Sequence, residues 1–453
     1  MSSIFQQLSH RFLKKDERSN KVLLNIFAVF VIKGWSGVVQ LLLVPLTLLC
    51  LDQYQYGIWL LINSILVWID SFDIGLGNGL RNKLAEYVAR DEWGKARKAV
   101  STTFGMLILI VIPISIVLLL LVESLDLYKL LNVDANRIKD LTGIIQASVG
   151  FICGTFILKF IGNVYLGLQR PSISSLLVVG GQTLSMLIIA ILPFIINDVS
   201  LFHVAIAYTA APLLIYSISY PITFYKVYPR LKPSLSLFQR SMLPELMGLG
   251  IRFFVLQLSG MVLFATSNLL ISNLFGPNEV APYQIAYKYF SFIFLIFSVI
   301  VTPLWSATTD AYVRKDLDWI NKLTIKMLKV LGLFTILIVI LVLLSPFVYP
   351  VWTLGKVDIS NSLTILLAVY TFIIVVSLYF AHILYGIGKI FVQMIVTLGS
   401  AILFIPISLL FARYWGINGI VIALIMSNLP CTITNVIQYK KIMNGRAKGI
   451  WLK

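Results

Sequence analysis

Residues Val100–Val122 read VSTTFGMLILIVIPISIVLLLLV, a stretch without a single charged side chain. About 20 predominantly apolar residues carry an α-helix across the hydrocarbon core of a bilayer. This stretch is therefore predicted to span a membrane. Further runs of the same kind lie on both sides of it. They are Val22–Leu49, Tyr56–Leu76, Leu141–Leu168, Ile173–Ile196, Val199–Tyr225, Leu246–Phe275, Val280–Trp305, Met327–Val351, Leu363–Ile387, Ile390–Tyr414 and Ile417–Tyr439. The expectation is an all-α polytopic membrane protein with about twelve transmembrane helices.

Composition agrees. Apolar residues make up 59% of the chain and charged residues 12%, against about 45–50% and 25% in soluble proteins. Only lipid solvates such an excess. The three cysteines, Cys50, Cys153 and Cys431, are widely separated and lie in or beside apolar runs, with neither metal-ligand spacing nor a disulfide framework.

The net charge of +17 would suit a nucleic-acid binder if it were gathered on one face of a domain. It is instead spread over short loops. One alternating set carries Arg11, Lys14, Lys15, Arg18 and Lys21, then Arg81 to Lys98, Arg170, Lys226 to Arg240, Arg314 to Lys329, Lys389, and Lys440 to Lys453. The opposite loops hold only Lys129, Arg137, Lys139, Lys356 and Arg413. Cytoplasmic loops carry such an excess for topological reasons. Both termini are therefore expected on the cytoplasmic side, and no nucleic-acid partner is implied.

The chain is expected to contain two copies of a six-helix unit. Lys33 in the first span and Arg252 in the seventh are 219 positions apart, as are Gly167 of Gly167-Leu168-Gln169-Arg170 and Gly386 of Gly386-Ile387-Gly388-Lys389. Glu86-Tyr87-Val88-Ala89-Arg90 has a counterpart in Asp310-Ala311-Tyr312-Val313-Arg314 at nearly the same offset. A six-helix unit ends on the side where it began, so the halves share one orientation, as in two-lobed transporters. The predicted organisation is a cytoplasmic tail over 1–21, a first lobe over 22–225, a cytoplasmic linker over 226–245, a second lobe over 246–439 and a tail over 440–453.

Four cations fall inside the apolar runs: Lys33, Lys159, Arg252 and Lys288. A cation at the centre of a spanning helix costs about 2.5–3.5 kcal/mol on insertion scales, unless its stem carries the charge to the interface. Carboxylates are scarce there. Asp70, Asp73, Asp310 and Glu245 sit near span ends. That sign pattern predicts a cationic lining for an anionic substrate, and Asp70, Asp310 and Glu245 are the candidates for ion coupling.

The most distinctive stretch is Phe72-Asp73-Ile74-Gly75-Leu76-Gly77-Asn78-Gly79-Leu80-Arg81. Its alternating glycines disfavour continued helix. They are read either as a hinge or as a nest of backbone N–H groups for an anion, with Asp73 and Arg81 pairing across the turn. No catalytic triad, paired carboxylates, metal motif or nucleotide-binding loop is visible, and no enzymatic activity is expected.

Twelve spans in two halves, the Phe72–Arg81 motif, the Arg90/Trp93 loop after it and the Gly167–Arg170 turn resemble the bacterial O-antigen flippases. These are polysaccharide transporters of the multidrug/oligosaccharidyl-lipid/polysaccharide (MOP) exporter superfamily. The resemblance implies a MATE-like bundle in the inner membrane. It implies a cargo of undecaprenyl-diphosphate-linked oligosaccharide, an O-antigen or capsule repeat unit, moved from the cytoplasmic to the periplasmic leaflet. It also implies a cationic lumen, alternating access coupled to an H+ or Na+ gradient, no bound cofactor, and polysaccharide polymerase and chain-length proteins as partners. Two other classes stay open at this point: a drug/cation antiporter of the same superfamily, and a membrane glycan polymerase or ligase.

Overall fold

A computed structural model describes residues 17–70, 76–247, 262–263 and 266–452. Among the described residues every regular element is helical. The α-helices are α1 Glu17–Cys50, α2 Gln53–Asp70, α3 Leu76–Ala89, α4 Trp93–Ser124, α5 Leu127–Leu131, α6 Leu141–Leu158, α7 Phe160–Gly167, α8 Pro171–Ile195 and α9 Leu201–Pro221. They continue with α10 Leu243–Met247, α11 over 266–275, α12 Val280–Val313, α13 Leu317–Trp352, α14 Asn361–Ile387 and α15 Phe391–Met443.

Nine of the described helical stretches are long and apolar enough to cross a membrane. The last of them, α15, has 53 residues, roughly 80 Å at about 1.5 Å per residue, more than twice the hydrocarbon thickness. It breaks at Gly416, whose φ of +57° and ψ of −138° are not helical. Two spans therefore share this one assigned helix, divided where the hydropathy pattern divides them. With α2, an apolar helix of 18 residues, and the apolar run ending in α11, the fold agrees with about twelve spans.

Proximity of Cα atoms divides the chain into two compact units. The first comprises the described parts of Met1–Leu46, Asp73–Ser124 and Gly143–Ile251; the second comprises those of Thr47–Phe72, Leu125–Thr142 and Arg252–Lys453. The placement of α2 in the second unit has a local cause. Its Gly57 lies so close to the Pro277 carbonyl that no Cβ could be accommodated there, and Gln53 donates to the Asn278 carbonyl at 3.1 Å.

In the first unit, the segment after α9 is strapped along α4 rather than hanging free. Arg97 donates to the Lys232 carbonyl at 2.9 Å. The backbone amides of Ser234 and Gln239 donate to the hydroxyls of Ser101 and Thr102 at 3.1 and 3.0 Å. These bonds explain two fully buried hydroxyl residues near the start of an otherwise apolar span, since buried polar groups are retained where they are paired.

The internal repeat is visible in hydrogen bonds as well as in residues. After α7 the Arg170 amide closes onto the Tyr165 carbonyl at 2.8 Å, and after α14 the Lys389 amide closes onto Leu384 at 3.0 Å. The intervening Gln169 and Gly388 are both left-handed, at φ +58° and +78°. The same closure joins Glu92 to Tyr87 and Asp316 to Ala311, through left-handed Asp91 and Lys315. A third pair joins Val133 to Tyr128 and Gly355 to Pro350, through Asn132 and Leu354. Each is the bond from the residue after a left-handed cap back to the last helical turn. Their offsets of 219, 224 and 222 residues follow the repeat loop by loop.

Candidate functional site

Lys288 lies on α12, about three turns into a span that runs from Pro277 to Val301. Its side chain is half-buried. Its ammonium lies 3.4 Å from the Tyr56 hydroxyl and 5.8 Å from the centre of that ring. Tyr56 is buried and belongs to the same unit. Among the described residues, neither Lys288 nor Lys33 forms an ion pair with a carboxylate. A phenol oxygen is a neutral acceptor, so it orients the ammonium without cancelling its charge.

Lys33 is exposed on α1. One turn on, the Ser36 hydroxyl donates to Gln182 at 2.7 Å, and the Trp35 indole donates to Thr183 at 3.1 Å. Lys33 is thus followed by a polar seam between α1 and α8, inside the first unit, at the depth where a lipid-facing helix would carry only apolar side chains.

Lys159 occupies the break between α6 and α7 and is half-buried. It lines a cavity of about 230 Å³ together with Asn163, Ser174, Tyr216 and Gly77. The structure therefore brings Lys159 and one glycine of the distinctive motif to a single cavity of the first unit. Arg252, Asp73 and Gly75 lie outside the described residues, so the expected Asp73–Arg81 pairing does too. Asp70, Asn78 and Asp310 are placed on α2, α3 and α12, but their side chains are not described.

Gly77 and Gly79 depart from the expectation of interrupted helix: both are helical, in the first turn of α3. The reason at Gly79 is packing. A Cβ there would collide with the carbonyl group of Leu246, so the missing side chain permits close approach of two backbones. Arg81 is exposed on the same helix. Glu245, one residue before Leu246, accepts from Lys83 at 3.4 Å and from the Tyr87 hydroxyl at 3.3 Å. Lys83 also pairs with Glu86 at 3.2 Å. That hydrogen bond, followed by the one to Glu245, holds the Lys83 ammonium above its ordinary pKa. The Glu86 carboxyl is correspondingly held below its own by Lys83.

Reading the residues in order did not single out the tyrosines. Tyr56 beneath Lys288, and Tyr287 and Tyr370 beside one another with ring centres 6.2 Å apart, read as ordinary core or belt aromatics. The available signal was Tyr283 and Tyr287, one turn apart, with Tyr287 and Tyr289 flanking Lys288 within a span. The expected outer-loop cation Lys356 also has a local role, since its ammonium reaches the Leu48 carbonyl at the end of α1, where a cation complements the helix dipole.

No family model matches the chain. A Salmonella typhi protein assigned as an O-antigen transporter is 25% identical over 405 residues, which cover 86% of this chain and 89% of the relative. Among solved structures, a multidrug resistance MATE family transporter of the MOP superfamily, in an inward-facing conformation, superposes with a TM-score of 0.77. It is 15% identical and matches 93% of this chain and 98% of its own. A mutant MATE transporter gives a TM-score of 0.67 at 16% identity, over 96% and 98% of the two chains. The fold is that of the MATE transporters. With nine described helical stretches long and apolar enough to cross a membrane, the fold is that of a multi-pass membrane protein.

Proposed function

We propose that the chain is a flippase that carries a polyprenyl-diphosphate-linked oligosaccharide, an O-antigen or capsule repeat unit, from the cytoplasmic to the periplasmic leaflet by alternating access. One observation supports this reading above the others. Lys288 is held inside a span against a phenol, with no carboxylate partner among the described residues. A charge kept there at an insertion cost of about 2.5–3.5 kcal/mol needs a compensating partner, and a diphosphate supplies one. At an effective dielectric of about 20, a cation about 4 Å from a phosphate charge gains roughly 4 kcal/mol. The relative assigned to O-antigen transport supports the same class of cargo.

In this reading Lys33, Lys159, Arg252 and Lys288 receive the diphosphate and leading sugars, while the polyprenyl tail stays in lipid. Coupling to an H+ or Na+ gradient belongs to the proposal, with Asp70, Asp310 and Glu245 as candidates. So do cytoplasmic termini and cooperation with polysaccharide polymerase and chain-length proteins. The likeness to multidrug transporters favours a second reading, export of organic cations; half-buried Lys288 opposes it, because like charges repel in a low-dielectric setting.

The deciding experiment is deletion followed by analysis of lipid-linked intermediates. The expected result is complete repeat units accumulating on the inner leaflet, relieved by the intact gene. Unchanged surface polysaccharide together with new sensitivity to cationic dyes would overturn the flippase reading in favour of the antiporter.

A further inference from the structure

The second unit holds a half-open cavity of about 260 Å³ lined by α12, α14, the C-terminal part of α15 and Leu263. Tyr287, Phe294 and Tyr370 line it with aromatic surface, and Ser291, Thr371 and Asn428 line it with polar groups. Among the described residues no charged side chain contributes to its wall.

The hydrogen-bond bookkeeping of the three polar side chains is one-sided. The Ser291 hydroxyl donates to the Lys288 carbonyl at 2.7 Å, the Thr371 hydroxyl to Leu367 at 2.8 Å, and the Asn428 amide to Leu424 at 2.8 Å. Each donor bond goes to the residue's own helix. As acceptors the three side-chain oxygens have no partner among the described residues. What these three side chains offer a guest is therefore mainly acceptor oxygens, with the second Asn428 amide hydrogen, set among aromatic rings.

A guest that fits must bring hydroxyl or amide donors, carry no charge and present an apolar flank to the rings. A neutral guest is favoured because no described cation in the wall could pair an anion, and an organic cation is disfavoured by Lys288, the chain neighbour of Tyr287. The volume lies just under the about 300–1,000 Å³ typical of sites for drug-sized ligands. A single sugar ring meets all these conditions: equatorial hydroxyls that donate, and a C–H face that packs on aromatic surface. We infer that this cavity is a saccharide subsite that takes one ring of the cargo's glycan, with Tyr370 and Thr371 as its specificity-determining contacts. The inference rests on the flippase reading and adds that the second unit recognises sugar as well as phosphate.

The test measures binding of two probes to the purified full-length chain in nanodiscs: undecaprenyl diphosphate, and the same lipid carrying a complete repeat unit. The intact chain is expected to bind the glycosylated lipid about tenfold more tightly, a difference of about 1.4 kcal/mol. Tyr370→Ala should erase that preference and leave the affinity for bare undecaprenyl diphosphate unchanged, while Tyr370→Phe keeps most of it. Thr371→Val tests the acceptor without touching the rings. Equal binding of both probes by the intact chain overturns the subsite yet leaves the flippase reading standing. A preference that survives Tyr370→Ala, or equal loss for both probes, also overturns it. Binding of tetraphenylphosphonium that Tyr370→Ala abolishes would place an organic cation there instead. Failure of the intact chain to bind either lipid would sink the flippase reading itself.

Discussion

Gly386 packs directly on the backbone of Trp305: a Cβ built on it would stand 2.7 Å from the Trp305 carbonyl oxygen and 2.8 Å from Cβ of Thr308. In the first unit Gly167 meets Arg81 and Leu84 in the same way, at 3.0 Å from the Arg81 carbonyl oxygen. Gly386 follows Gly167 by 219 residues, and Trp305 and Thr308 follow Arg81 and Leu84 by 224. Each unit thus uses one glycine to let a late helix cross an earlier one at backbone contact. Without a hydrophobic drive between helices in lipid, such close approach is a main source of association.

Gly386→Ala should therefore push α14 away from α12. Overpacking of this kind costs about 1–3 kcal/mol. The expected outcome is a lower melting temperature of the detergent-purified protein for Gly386→Ala and a smaller drop for Gly167→Ala. Gly399→Ala, where nothing lies within 4 Å of the added carbon, should match the parent. If all three melted alike, the backbone contact would have no energetic role.

Gly79→Ala should be more severe than either, because the added carbon would collide with the Leu246 carbonyl group itself and backbone cannot rotate aside. Loss of the folded, monodisperse species by size-exclusion chromatography is expected, with Gly94→Ala as the tolerated control in open space. A well-behaved Gly79→Ala protein that has only lost transport would point back to the hinge.

Charge reversal in the spans separates structure from cargo binding. Lys33→Glu and Arg252→Glu should abolish surface polysaccharide while protein persists in the membrane, and Lys288→Glu should do the same. Tyr56→Phe removes the hydroxyl 3.4 Å from the Lys288 ammonium and should weaken transport severalfold without abolishing it. Normal polysaccharide from a stably inserted Lys33→Glu/Lys288→Glu double variant would contradict the cationic lumen.

The Lys83–Glu86–Glu245 cluster carries a signed pH dependence. Glu86 is held below its ordinary pKa, so its contribution is present above the unfolded carboxylate value and fades as pH falls through the depressed one. Lys83 is held above its ordinary pKa, so its contribution is full below the unfolded lysine value and fades only as pH rises through the raised one. Both groups are exposed and the effect is small. The melting-temperature deficit of Lys83→Met should appear at neutral pH and vanish in acid below the carboxylate range; a deficit independent of pH would remove the ion pairs as its cause.

Ser101 and Thr102 hold the segment after α9 against α4. The Ser101→Ala/Thr102→Val double variant leaves two backbone amides without acceptors. It should speed cleavage near Lys232 and Arg240 by trypsin in open membranes several-fold. An unchanged digestion rate would mean that the Arg97–Lys232 bond and the packing of the Phe238 ring against Gly105 suffice.

Much of the fold could be read directly from residue order. Val100–Val122 has no other stable home than lipid, and a backbone in lipid must satisfy its hydrogen bonds within one segment, which leaves helix. The alternation of Lys and Arg between loops and the spacing of Gly167 and Gly386 exposed span number and repeat, because both depend on local chemistry at known intervals. The sign of Lys33, Lys159, Arg252 and Lys288 was equally plain, and the proposal of an anionic cargo starts from it.

Three-dimensional packing decided the rest. Gly77 and Gly79 broke the helical pattern on paper, yet they lie within a helix, because the partner that explains Gly79 is the backbone of Leu246, far away in sequence. Tyr56 beneath Lys288 and the tyrosine-lined cavity were hidden for the same reason. A phenol in a span is core, belt or contact according to which helix turns toward it. That is settled by side chains hundreds of positions apart, whose meeting no local spacing encodes.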